Sequence, residues 1–363
     1  MECFVTGGSG FVGLHLLAYL TARGHKAWVL MRNLSNLESL KVQVSSLGGN
    51  SGCIHGVKGD LSTPGLGLSD ADQRNVSSAH VIFHLAAQFS WGLTMEEARA
   101  VNVEGALRVA KLAVVQQTRF LMVGGYMIKN DTHLAKVGID TQHPEKTDWF
   151  KVYKRVGGYE GSKLEAHFVV TRYLEEQSAD YAVVHPATVY GHSESGHILK
   201  GQPTEQLIRN LSSGKLKAIP GNSEHWLPLV SVDYLVALIM YLGFDSSAVR
   251  QQVLALNEAT PSLLNLVKQI SNYLGVRAPN RYIPKGLLRF FLTIPGMENR
   301  FATSRESLNF IQIERFDMSI SKYFETRYEL HHPDLRRTLE KTVKYVKNTL
   351  VDSSEHHFFS KTP

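Results

Sequence analysis

Tyr159 and Lys163 stand four residues apart in GYEGSKLEAHFVV, a stretch with helical periodicity, so both side chains fall on one face of a helix. A free phenol titrates near ~10 and is a poor base at neutral pH. A nearby ammonium favours the phenolate and lowers that value. Such a pair can give a proton to a carbonyl oxygen, or remove one from an alcohol. A second stretch offers a cradle for a dinucleotide. TGGSGFVG, from Thr6 to Gly13, carries glycines at 7, 10 and 13 between a β-like run and a helix-like one. Gly7 permits the tight turn, and Gly13 lets the helix pack closely on the sheet. Gly10 lets a pyrophosphate approach the helix N-terminus, where amides and the dipole favour negative charge. Thr6, Gly7, Gly10, Phe11, Val12 and Gly13 are therefore the expected cofactor loop. An acid after the second strand would hold the ribose 2′-hydroxyl of NAD, and an arginine the 2′-phosphate of NADP. The chain reads LMRN there, with Arg32 and no acid, so NADP(H) is favoured while NAD(H) stays open.

The elements that must position these residues follow from hydrophobic patterning. ECFVT (2–6), AWVLM (27–31), CIHGVKGD (53–60), AHVIFHLAA (79–87), RFLMV (119–123) and YAVVHPATVYG (181–191) read as six strands with their exits. Between them lie helical patterns at 11–24, closed by Gly24, at 94–117 and at about 155–177. The 94–117 helix opens on a Thr94…Glu97 capping box. Strands alternating with helices predict an α/β fold, a Rossmann-type doubly wound parallel sheet. The pattern loosens after 191. The expected division is a cofactor-binding core over 1–191, with 227–258 returning to it, and a smaller, mostly helical C-terminal substrate lobe from 192–226 and 259–363. The lobe ends in an amphipathic helix at 333–350 and a frayed tail.

The 363 residues carry a formal charge of +6 without a dense Lys/Arg block. Diffuse basicity suits an anionic ligand, and no nucleic-acid partner is expected. Only Cys3 and Cys53 are present, in apolar strand-like runs, which fits a reducing compartment. The first strand leaves no room ahead of it for a signal peptide, so a cytoplasmic chain is expected. YLVALIMYLGF (234–244) is too short to span a bilayer, and no integral membrane segment is expected. LLRFFLTIPGM (287–297) reads first as core, then as a substrate wall, then as a peripheral membrane contact. The sixteen histidines contain no HExxH arrangement, and no metal site is expected. No Gly-x-Ser-x-Gly elbow supports hydrolase chemistry.

The Gly-x-x-Gly-x-x-Gly loop and the Tyr159-x-x-x-Lys163 pair resemble the extended and atypical short-chain dehydrogenase/reductase superfamily, on its ketone- and thioester-reductase side. The resemblance covers nearly the whole chain, most strongly 2–191. It implies that Lys163 binds the nicotinamide ribose and that Tyr159 is the proton donor. It implies that Asp60 accepts the adenine amine while Leu61 packs on the ring. HLAA (84–87) matches the fourth-strand stretch that lines the cofactor, through Ala86 and Ala87. HPATVYG (185–191) matches the stretch that orients the carboxamide, with Pro186 and Val189. Asp233-Tyr234 matches a motif of structural use, and FDMSISKYF (316–324) the closing segment. Homodimers are common in the superfamily, so one is possible here.

The resemblance also exposes a departure. The fifth strand of the superfamily ends in a Ser or Thr that hydrogen-bonds the substrate carbonyl; here FLMVGGYMI places Gly124 and Gly125 there, with the missing serine mapped onto Gly124. Losing such a donor costs ~10²–10³ in rate. Tyr126 or Ser90 is the expected stand-in; otherwise Tyr159 acts alone, or catalysis is lost. The aromatics Trp226, Phe290, Phe291, Phe301, Phe310 and Tyr323 suggest a small, apolar substrate. The expected activity is reduction of a ketone, enone or carrier-bound acyl group of secondary metabolism. The alternatives are a sugar-nucleotide epimerase or dehydratase with bound NAD, and an impaired cofactor-binding protein.

Overall fold

Most apolar runs of the first half become strands buried on both faces, the signature of a parallel sheet covered by helices. The computed structural model describes residues 1–301 and 303–359, with the backbone alone at residue 299 and residues 351–359. Strands are numbered along the chain: β1 Glu2–Thr6, β2 Lys26–Met31, β3 Ile54–Lys58, β4 Val81–His84, β5 Arg119–Val123, β6 Tyr181–Pro186, β7 Thr188–Tyr190, β8 Ile219–Pro220, β9 Leu229–Ser231, β10 Gln251–Ala255 and β11 Tyr282–Ile283.

Seven of these form one parallel sheet in the order β10-β6-β5-β4-β1-β2-β3. The order reverses beside β1, which is where a doubly wound sheet opens a crevice at its carboxyl edge. The register sets Thr6 level with His84 and Val123 level with Val184. The glycine loop after β1, the GlyGly pair after β5 and Pro186 at the end of β6 therefore share one edge of the sheet.

Two compact units result. The first holds residues 1–186, 235–255 and 316–330; the second holds 187–234, 256–315 and 331–363. This division differs from the expected one at four places: residues 187–191 and 256–258, expected in the core, fall in the second unit, and two longer segments also change sides. Segment 227–234 joins the second unit because β9 pairs with β7. Segment 316–330 joins the first. There Phe324 is buried, Ser321 Oγ donates to the Leu254 carbonyl at 2.7 Å, and the Tyr328 hydroxyl donates to Asp245 at 2.7 Å. The second unit contains β7 with β9, β8 with β11, and the helices Pro203–Ser212, Leu263–Leu274, Lys285–Phe291 and Leu335–Phe359. The terminal helix thus extends beyond the expected 333–350, and residues 360–363 of the expected tail lie outside the described residues. No described helix is long and apolar enough to cross a membrane.

Three helices depart from their expected outlines. Helix α1, Phe11–Thr21, ends before Gly24, which takes the left-handed turn two residues past the Ala22 cap. The 94–117 helix has its capping box but contains a π turn at Arg99–Val103, between Met95–Ala98 and Glu104–Val115. The 155–177 helix is two, Trp149–Val156 and Gly158–Glu176, broken at Gly157 with φ 92° and ψ 173°, a conformation closed to other residues.

Where β1 passes into α1, backbone atoms leave no room for a side chain at Gly7 in the loop or at Gly13 in the helix. Gly7 has φ +76°, and a Cβ on it would lie 2.6 Å from the Ala86 nitrogen. A Cβ on Gly13 would lie 2.1 Å from the Gly7 carbonyl oxygen, so α1 packs down on the loop backbone itself. Gly13→Ala is expected to push α1 off this loop at a cost of ~1–3 kcal/mol, the usual range for overpacking. Thermal denaturation reads it as a lowered Tm; an unchanged Tm would mean that the helix shifts freely.

Candidate active site

The loop after β1 leaves the N-terminus of α1 open. Its cap is Gly10, which has no side chain to satisfy the first amides, and no acid sits in the first turn. Ser9 and Gly10 are exposed, Val12 is half-buried, and Phe11 turns into the core. Bare backbone amides with an uncompensated dipole suit a pyrophosphate. Thr6 is fully buried instead. Its hydroxyl lies 2.8 Å from His84 Nδ1 and accepts from the Ala86 amide at 3.4 Å. It therefore ties β1 to the exit of β4, beneath the cradle. Burial drives His84 down to about 3, with Lys163 adding to the shift, so this imidazole is neutral.

Farther along the same edge, Arg32 follows β2 and is exposed. Asp60 follows β3, with Oδ1 accepting from the Ser62 amide at 2.8 Å and the Ser62 hydroxyl at 2.7 Å. These bonds hold its carboxyl below the ordinary value, with a smaller contribution from Arg32. Leu61, expected on the adenine ring, is buried in the cluster that holds Ala106 and Val109. Ala86 and Ala87 are half-buried at the exit of β4, Pro186 closes β6, and Val189 lies on β7 in the second unit.

The Gly158–Glu176 helix carries Tyr159 in its first turn and Lys163 one turn later. Lys163 Nζ donates to the Val123 carbonyl at 2.6 Å, so the ammonium is docked on the end of β5. Burial lowers Lys163 to about 8. Tyr159 is raised to about 12, by burial first and by Glu160 second. The sequence argument predicted the reverse for the phenol. The correction has a plain cause: desolvation outweighs any help from the ammonium, which is engaged on the backbone.

Sequence reasoning missed the groups around this pair. Phe89 packs edge-on against Tyr159, with ring centroids 4.7 Å apart, and Trp91 does so at 6.2 Å. The loop bearing them is seated by Gly158, whose Cβ would fall 2.3 Å from the Leu93 carbonyl oxygen. Asn102, in the π turn, accepts from the Gln88 amide at 2.7 Å and donates to Ser162 Oγ at 2.9 Å. One carboxamide thus joins the aromatic loop to the helix of Tyr159 and Lys163. Beside it, buried Glu165 accepts from Arg99 and from the Tyr153 hydroxyl at 2.8 Å. An asparagine inside an otherwise helical pattern was the one available signal, and a π turn is where it acquires meaning.

The two glycines after β5 have different surroundings. A Cβ on Gly124 would meet the His185 ring, 2.4 Å from Nδ1 and 2.8 Å from Cε1. His185 is fully buried and held neutral by that burial, and it packs against His167 with centroids 5.1 Å apart. So the space of a serine at 124 is filled by an imidazole from β6. Around Gly125 a Cβ would meet nothing within 4 Å. The expected stand-ins also separate. Tyr126 is 2% exposed and packs edge-on against Phe316 at 5.7 Å, which removes it from open space. Ser90 is exposed on the aromatic loop, with Oγ directed at the Trp91 carbonyl at 3.3 Å.

The aromatics expected to shape an apolar lobe do not form one wall. Trp226 is buried in the second unit, donating to the Glu314 carbonyl at 2.9 Å beneath the Arg315 guanidinium. Phe301 packs on the Leu288, Leu292 and Leu308 cluster. Phe291 and Phe310 are half-buried, Phe290 is exposed, and Tyr323 is exposed on the first unit. Leu287 and Ile294 are exposed too, so the 287–297 stretch is core only in part. Among the described residues, no group of three or more His, Cys, Asp or Glu is arranged to hold a metal ion.

The sheet order, the bare helix N-terminus and the Tyr159–Lys163 helix define an NAD(P)-dependent oxidoreductase of the extended short-chain dehydrogenase/reductase class. Within that class, the chain belongs to the family described as Male sterility protein, whose profile matches residues 5–239. It is 30% identical over 250 residues to the PKS-NRPS hybrid synthetase cheA of Chaetomium globosum, across 65% of this chain and 5% of that one. It is 27% identical over 252 residues to a UDP-glucose 4-epimerase of Mycolicibacterium smegmatis, across 67% of this chain and 73% of that one. The chain therefore spans a small fraction of the synthetase and most of the epimerase. Among solved structures, the terminal R domain from the myxalamid PKS-NRPS biosynthetic pathway shares the fold, with a TM-score of 0.73 at 19% identity, over 100% of this chain and 92% of that one.

Because His185 occupies the space beside Gly124, Gly124→Ser is expected to destabilise the protein by ~1–3 kcal/mol. Gly124→Ser/His185→Ala should regain much of the loss, since the hydroxymethyl group enters the vacated space. Thermal melts of the two single variants and the double variant measure this coupling. Strict additivity would show that the imidazole is not what excludes a side chain at 124.

Proposed function

We propose that this chain reduces a carbonyl group, drawing on NADPH in preference to NADH. The observation that carries the reading is the docking of Lys163 Nζ on the Val123 carbonyl at 2.6 Å, with Tyr159 one helical turn away on the same helix. At neutral pH the phenol holds its proton and is placed to donate it. Tyr159 gives that proton to the carbonyl oxygen. Lys163, charged below about 8, binds the ribose hydroxyls and adds positive potential beside the developing oxyanion. When bound, the nicotinamide supplies the hydride. Gly7, Gly10, Gly13, Phe11 and Val12 hold the pyrophosphate, with Arg32 on the 2′-phosphate and Asp60 at the adenine amine. Ala86, Ala87 and Pro186 complete the expected lining within the first unit.

The substrate we propose is apolar or carrier-bound, a reading supported by the likeness to a PKS-NRPS hybrid synthetase. Phe89 and Trp91 support this: two aromatic rings beside Tyr159 offer a hydrocarbon flank. Ser90, on the same loop, is the hydroxyl we assign to the carbonyl in place of the missing fifth-strand donor.

Tyr159→Phe is expected to lose at least ~10²-fold in kcat, within the range of general acid catalysis, while NADPH binding stays unchanged. In the parent protein, kcat should fall as pH rises through about 8, because Lys163 loses its charge there. Tyr159 remains protonated across that range, so Lys163→Met should abolish this limb. A limb that persists in Lys163→Met would remove the lysine from the assignment.

Parallel fluorescence titrations with NADPH and NADH test Arg32. Tighter NADPH binding that shrinks at least tenfold in Arg32→Ala is the expected result. An NADH preference would overturn the phosphate contact and favour the epimerase alternative.

A further inference from the structure

Gly125 has no structural reason to be glycine. Its φ of −160° and ψ of 145° are extended backbone that any residue adopts, and a Cβ there meets no atom within 4 Å. Glycine in such a place costs conformational entropy and returns no packing. Its neighbour differs: Gly124 is bare because the buried His185 ring fills its side-chain space. Gly125 also lies at the reacting end of the site. It is two residues beyond the Val123 carbonyl that receives Lys163 Nζ at 2.6 Å, and Tyr159 is one helical turn from that lysine. Its own carbonyl is turned away into the following turn, accepting from the Ile128 amide at 3.3 Å. The open side of the backbone at 125 therefore has no occupant from the surrounding chain.

We infer that Gly125 is a specificity-determining position, whose missing side chain leaves room for a substituent on the carbon next to the substrate carbonyl. The substrate class is a carbonyl compound branched at that carbon, with Phe89 and Trp91 flanking its apolar part. A side chain at 125 takes this volume from the substrate, and a linear carbonyl compound does not need it. The inference rests on the carbonyl-reduction reading and narrows it.

The test is NADPH oxidation with a matched pair of aldehydes, hexanal and 2-ethylhexanal, by the parent protein, Gly125→Ala and Gly125→Val. NADPH fluorescence titration and thermal melts accompany each variant. The expected result is that Gly125→Val loses at least tenfold more kcat/KM on 2-ethylhexanal than on hexanal. Gly125→Ala should lie between, and Tm and NADPH affinity should match the parent. An equal effect on both aldehydes, or none, overturns the inference. So does a fall in Tm or NADPH affinity, which would assign Gly125 to the fold or to the cofactor cradle. A parent protein that binds NADPH but reduces neither aldehyde overturns the carbonyl-reduction reading, and this inference falls with it; the parent's own rates distinguish the two failures.

Discussion

The bond from Lys163 Nζ to the Val123 carbonyl fixes the site. It pins the Gly158–Glu176 helix to the end of the central β5 strand, and with it the height of Tyr159 above the sheet edge. A half-buried ammonium still needs compensation for lost solvent, and the Val123 carbonyl dipole supplies it. The neighbours respond. His84, His167 and His185 are all driven toward the neutral form by burial, and each is shifted further by the Lys163 charge. Positive charge here thus resides on lysines, Lys129 acting on His167 and His185 as well, and not on the imidazoles.

The fold was legible because its determinants are local. Each sheet strand from β1 to β6 is a short apolar run, and the alternation with helices dictates a parallel sheet. The glycine loop was legible for the same reason: turn, cap and helix start are written in eight consecutive residues. What was not legible depends on partners distant in sequence. The desolvation of Tyr159 reflects how the chain closes around it, so counting one lysine at i+4 gave the wrong direction of shift. Gly124 could be read only against His185, sixty-one residues away. The burial of Leu61 and that of Tyr126 are likewise tertiary facts. Segment 316–330 has no periodic signature that assigns it to one unit; Ser321 and Tyr328 make that assignment through hydrogen bonds to Leu254 and Asp245.

The π turn at Arg99–Val103 shows how a small irregularity organises several elements. A regular helix would satisfy hydrophobic periodicity equally well, and so the irregularity is silent in the pattern. Its extra residue turns Asn102 toward Gln88 and Ser162, while Arg99 reaches Glu165. Gly158 then admits the Leu93 carbonyl where any side chain would block it. The aromatic loop and the catalytic helix are held to each other by backbone proximity and one carboxamide. Phe89 and Trp91 add ring contacts to Tyr159 across the same junction.

The filling of the Gly124 space by His185 has a consequence for descent. With the imidazole in place, a serine arriving at 124 meets a clash before it can supply a hydroxyl, and removing the imidazole alone leaves a void. Either first step is disfavoured, so reversal demands two coordinated changes on different strands. The histidine acts as a ratchet: while its ring fills the gap, a hydroxyl at 124 is closed to any single substitution.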